Sequence, residues 1–170
     1  MKKNIKLLVL VFTLLMGSVV SSFAQVSASS SSSATIIIPI NITKTVDMNF
    51  GNVAVNAVAG TVILAPAGGR TLTGGVTLPA VTGTVTAAAF TVTGAPTYTF
   101  SISLPASPLT ITSGASTMTV TAFTSTPSTT GTLAAGTASL LVGATLNVGI
   151  NQAAGTYTSA TPFSVTVNYN

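Results

Sequence analysis

The chain has 170 residues, with five Lys and Arg, one acidic residue, and no His, Cys or Trp. A length of this order allows one domain, and a charged fraction of 4% lies far below the ~25% of ordinary globular proteins. Without His, Cys or Glu, and with Asp47 as the single acid, the chain offers no carboxylate pair, no Ser/His or Cys/His arrangement and no Cys/His metal set, so neither an enzyme nor a metal- or cofactor-dependent protein is expected.

In chain order, residues 1–24 read as a secretory signal peptide. Lys2, Lys3 and Lys6 precede an apolar stretch from Leu7 to Val20, and small residues stand at Ser22 and Ala24 before Gln25. Positive start, apolar middle and small-x-small end are the layout of a cleaved export signal, with the cut placed between Ala24 and Gln25. The apolar stretch falls short of the ~20 residues that a spanning helix needs, so no transmembrane span is expected in the mature chain. The expected route is export through the inner membrane to the periplasm, then to the cell surface or beyond. Once the segment is removed, Lys44, Arg70 and Asp47 are the remaining charges. The net charge of +4 is therefore mostly a property of the signal, and no nucleic-acid partner is expected.

Residues 25–33 form a Ser-rich leader, a composition that cannot bury apolar surface and stays flexible. From Ala34 onward the chain is rich in threonine, of which the whole sequence has 31, and in valine and isoleucine. These residues lose side-chain freedom in helices and suit a pleated surface. The expected architecture is all-β, a single two-sheet β-sandwich over residues 34–170.

Apolar residues at every second position mark the strands: Ile36/Ile38/Ile40/Ile42, Tyr98/Phe100/Ile102/Leu104, Met118/Val120/Ala122, Leu146/Val148/Ile150 and Phe163/Val165/Val167/Tyr169. Weaker strands are expected around Met48–Val55, Thr61–Leu64, Thr71–Leu78 and Thr84–Thr93, with turns at Asn56, Gly60, Pro66, Pro108, Gly114 and Gly136 among others. Threonines at alternating positions invite comparison with the flat arrays of ice-binding solenoids. A solenoid requires a fixed repeat, and none is present.

The segment 34–43 is the most informative. Ile36, Ile38, Ile40 and Ile42 share one parity and so one face of a strand, giving an apolar row about 20 Å long at ~3.3 Å per residue. Pro39 removes one ladder donor, so such a strand is not fully paired on both sides. Two readings stay open. The row is either the first strand of the chain's own sandwich or a donor strand that completes a neighbouring copy by strand addition, with backbone bonds supplying affinity and alternate side chains filling pockets.

At this point the residues resemble a family. The string Ile40-Asn-Ile-Thr-Lys-Thr-Val-Asp-Met-Asn-Phe-Gly51, the segments Phe90–Gly94, Thr117–Val120 and Val142–Leu146, and the ending Gly155-Thr-Tyr157 with Phe163–Tyr169 look like the exported bacterial domain of unknown function 4402. That domain is in turn similar to spore coat protein U and archaic chaperone–usher pilin subunits. The resemblance implies an immunoglobulin-like, pilin-like sandwich, a periplasmic passage with a chaperone as candidate partner, and a place in surface fibres. Pilin-like relatives carry a disulfide that this cysteine-free chain lacks.

The expected function is therefore an exported structural or adhesive subunit of the cell surface that self-associates with like subunits by β-strand pairing. The alternative is a monomeric secreted binding module for carbohydrate or another surface ligand, for which Tyr98, Tyr157 and Tyr169 are the stacking candidates against a plain packing role. Lys44 and Asp47 are expected to be a solvated pair.

Overall fold

The computed structural model describes residues 25–170; the signal peptide 1–24, including Ala24, lies outside the described residues. Residues 25–35 carry no regular secondary structure and every one is exposed. They belong to a unit separate from Ile36–Asn170.

The second unit is all-β, with twelve strands: β1 (Asn41–Val46), β2 (Asn49–Phe50), β3 (Ala54–Leu64), β4 (Arg70–Thr77), β5 (Val85–Thr86), β6 (Ala88–Thr93), β7 (Thr99–Ser103), β8 (Leu109–Ser113), β9 (Ser116–Thr126), β10 (Thr130–Thr132), β11 (Thr137–Val148) and β12 (Thr166–Tyr169). Every pairing between them is antiparallel. No helix among the described residues is long and apolar enough to cross a membrane.

β11 organises the larger sheet. One of its edges pairs with β9, which continues into β8. The other edge is shared: its first half pairs with β6 and then β1, its second half with β3 and then β4. A second sheet, in the order β10-β7-β12, and a short β2-β5 pair complete the unit.

The alternation along β11 explains its placement. Leu140, Val142, Ala144, Leu146 and Val148 are buried on one face, and Thr137, Ser139, Thr145 and Asn147 stand on the other. The buried apolar residues form two clusters, and the sheets meet through the first. In the first, Ala88, Val92, Leu140 and Val142 of the large sheet pack against Phe100 and Val167 of the second sheet and against Leu133. Two sheets sharing a core in this way have the layering of a β-sandwich. The second cluster gathers Val62, Val76, Val120, Ala144, Leu146 and Val148, all from the large sheet. Over this half the second sheet does not extend, and cover comes instead from Met48, Phe50 and Val53.

Several strand bounds differ from the sequence expectation. The run Leu146/Val148/Ile150 is the end of a strand that starts at Thr137, and Ile150 is exposed beyond it. Gly143 lies inside this strand, on the opposite parity to its buried row; a side chain there would strike the backbone of Leu64–Pro66, the close approach for which glycine is used inside strands. The expected turn at Asn56–Gly60 is instead a bulge inside β3, where the register against β4 shifts between Val55 and Gly60. Gly74 faces it with φ +67° and its Cβ position lies against the Ala59 carbonyl, so this crossing needs glycine on conformational and steric grounds alike. β8 forms between Pro108 and Gly114, the two residues expected as turns, and β10 is a further strand outside the expected runs.

Candidate functional site

Two features stand out on the described unit, an exposed isoleucine segment and an open apolar cleft. The isoleucine row is divided by its surroundings. Ile42 lies in β1, paired opposite Val92 of β6, and both Ile40 and Ile42 are half-buried against the first core cluster. Ile36 and Ile38 precede β1 in a segment without sheet partners and are 98% and 61% exposed. The strand thus begins at Asn41 rather than at Ala34, and Pro39 sits at the change, consistent with its missing donor.

Tyr169 tethers this segment. Its hydroxyl donates to the Ile38 carbonyl at 2.8 Å and accepts the Ala95 N–H at 2.6 Å. The ring also meets Tyr98 edge-on at 5.5 Å. Tyr169→Phe is expected to leave the buried Ala95 N–H unpartnered, lowering stability by about 1–3 kcal/mol. A thermal melt will read this loss, and proteinase K will cut the chain near Ile38 faster than in the parent.

The cleft, about 1050 Å³, lies over the half of the large sheet that the second sheet leaves bare. Its apolar floor is made by Leu109, Ile111, Met118, Val120, Leu146 and Val148, and residues 47–55 on one side and 152–159 with 162–165 on the other form its walls. The sequence signal for Leu109 and Ile111 was present as a two-residue alternation between Pro108 and Gly114, too short to read as a strand.

The first wall is held by the Asn49-Phe50-Gly51 turn. The Asn49 side chain accepts the Gly51 N–H at 2.8 Å, and Gly51 adopts φ +70° with no room for a side chain beside the Thr82 carbonyl. Arg70 Nη1 donates to the Phe50 carbonyl at 2.6 Å and to the Asn52 carbonyl at 3.1 Å. Arg70→Met keeps the stem and removes both bonds. It is expected to cost about 1–3 kcal/mol and to speed amide exchange between Gly51 and Val53, measured by hydrogen exchange with mass spectrometry.

On the second wall, the Tyr157 hydroxyl donates to the Ala153 carbonyl at 2.8 Å and accepts from the Gln152 amide at 2.8 Å. Tyr98, Tyr157 and Tyr169 therefore do not form one stacking platform: Tyr157 lines the cleft, whereas Tyr98 and Tyr169 pack on each other near Ala95. Lys44 and Asp47 join at 2.6 Å with side chains 55% and 81% exposed, a surface pair worth about 0–1 kcal/mol. Among the described residues there is no group of three or more His, Cys, Asp or Glu that could hold a metal.

One family model, described as a domain of unknown function (DUF4402), matches residues 40–169. Neither a curated protein nor a solved structure matches the chain.

Proposed function

Because the chain belongs to the DUF4402 family, whose description assigns no activity, we propose from the geometry that it is an exported, non-catalytic structural subunit of the cell surface that self-associates with like subunits by β-strand pairing. The observation that carries this reading is the exposed Ile36-Ile37-Ile38 run at the entrance to β1. Consecutive apolar residues on an extended, unpaired segment are a template for association with another chain. The low charge of the remaining surface offers little repulsion against it. An immunoglobulin-like, pilin-like arrangement of the two sheets agrees with the large antiparallel sheet and its smaller partner, and export follows from the reading of residues 1–24 as a signal.

Sedimentation velocity of the purified secreted chain over a hundredfold concentration range tests the proposal. Growth to dimers and longer species, seen as filaments by negative-stain electron microscopy, is the expected result. A single monomeric boundary at every concentration would overturn it.

A further inference from the structure

We infer that the face of the large sheet turned away from the cleft is an ice-binding surface, a reading that stands whether or not the chain self-associates. Along β8, β9 and β11 the side chains alternate between two surfaces. Leu109, Ile111, Met118, Val120, Leu146 and Val148 turn to the cleft, and the other parity is mostly threonine. Strand register then aligns the threonines across the sheet. One row runs Thr110-Thr119-Asn147-Thr61-Thr73 from β8 to β4, and the row beside it runs Thr121-Thr145-Ile63-Thr71. Neighbours within a row stand about 4.8 Å apart and the two rows about 6.6 Å apart, the spacings of paired strands and of alternate residues. The sequence shows no fixed repeat because neighbours in a row come from distant parts of the chain. Antiparallel pairing supplies the periodicity that a solenoid takes from its repeat.

The array is held in place before any partner arrives. The Thr61 and Thr73 hydroxyls share a hydrogen bond of 2.7 Å, and the Asn147 amide donates to the Thr119 and Thr121 hydroxyls at 3.3 and 2.9 Å. Branching at Cβ restricts each threonine's first torsion, so little side-chain entropy is left to lose on binding. The array is also uncharged. Lys44 and Asp47 line the cleft on the opposite side, and Arg70 is bonded to the carbonyls of the cleft wall.

These properties select the partner. Every threonine hydroxyl both donates and accepts, and neither row contains an aromatic ring on which a sugar could stack. A small soluble ligand would only exchange hydrogen bonds with water, at little net gain per bond. The gain accumulates when the partner is itself rigid and periodic, because many weak bonds then form in one event. An ice surface is such a partner. It presents water oxygens, each a donor and an acceptor, at fixed repeats on the scale of these rows, and it carries no charge.

The purified secreted chain should open a gap between the freezing and melting points of water in a nanolitre osmometer, growing with protein concentration. It should also be taken up by a slowly growing ice hemisphere instead of staying in the liquid. Thr71→Lys/Thr73→Lys at one edge of the array and Thr110→Lys at the other place long charged side chains on it. All three positions are exposed, so the fold should survive, and circular dichroism matching the parent establishes that it does. Both array variants should lose the gap and the uptake. The control Thr130→Lys/Thr132→Lys adds charge at exposed positions of β10, in the second sheet, and should keep both. A parent chain with neither gap nor uptake overturns the inference, whatever the variants do. Folded array variants that retain the parent's gap overturn it, and so does a loss that the control shares.

Discussion

Replacing Ile36 and Ile38 together by serine will abolish concentration-dependent association while the unfolding midpoint stays where it was. Both side chains are mostly in solvent, and surface substitutions of this kind move stability by no more than about 0.5 kcal/mol. Replacing Ile40 and Ile42 by serine will do something different. These two residues pack against the first core cluster, Ile42 lying opposite Val92 in the β1–β6 pairing. A fully buried isoleucine contributes about 1.5–3 kcal/mol, so the half-buried pair should cost about 2–4 kcal/mol together. Sedimentation velocity and urea unfolding on both double variants separate the two effects. If the Ile36/Ile38 variant still assembles, the row is not the donor. If the Ile40/Ile42 variant is as stable as the parent, these residues do not anchor the segment to the core.

The largest loss of stability is expected from Phe100→Ala. Phe100 has no exposed surface and joins the sheets at the point where β6, β11 and β12 converge on β7. Removing its ring should cost about 3–5 kcal/mol, a large share of the ~5–15 kcal/mol that holds a typical domain folded. Its neighbour across the β10–β7 pairing is Gly131, and a Cβ at that position would press on the ring. Gly131→Ala should therefore cost about 1–3 kcal/mol by overpacking. Urea titrations read both effects in the midpoint at an unchanged slope, since the surface exposed on unfolding is nearly the same. A midpoint for Phe100→Ala within error of the parent would mean that the two sheets are not joined through this ring.

Both predictions depend on a division within one short stretch of sequence. Ile36, Ile38, Ile40 and Ile42 are indistinguishable by periodicity, yet two lie against a core and two in water. The difference arises from residues remote in the chain: the first core cluster, built from β6, β7, β11 and β12, receives the second pair, and Tyr169, 131 positions away, ties down Ile38. The cleft was less legible still. Leu109, Ile111 and Met118 alternate in the expected way, but their incomplete cover results from the second sheet ending at β12, and a strand carries no local signal of what lies above it.

The sequence by itself determined the chemistry and the secondary-structure class. A chain with one acid, no histidine and no cysteine has its proton-transfer and metal chemistry limited by composition, and β-branched residues at every second position dictate strands through local sterics. The strands at Thr99–Ser103 and Arg70–Thr77 fall where the alternation places them for that reason. Tertiary structure alone decided which strand pairs with which, where a strand must carry glycine for a close backbone approach, as at Gly143, and which apolar residues remain uncovered. Those outcomes depend on contacts between residues tens of positions apart, and local periodicity carries no information about them.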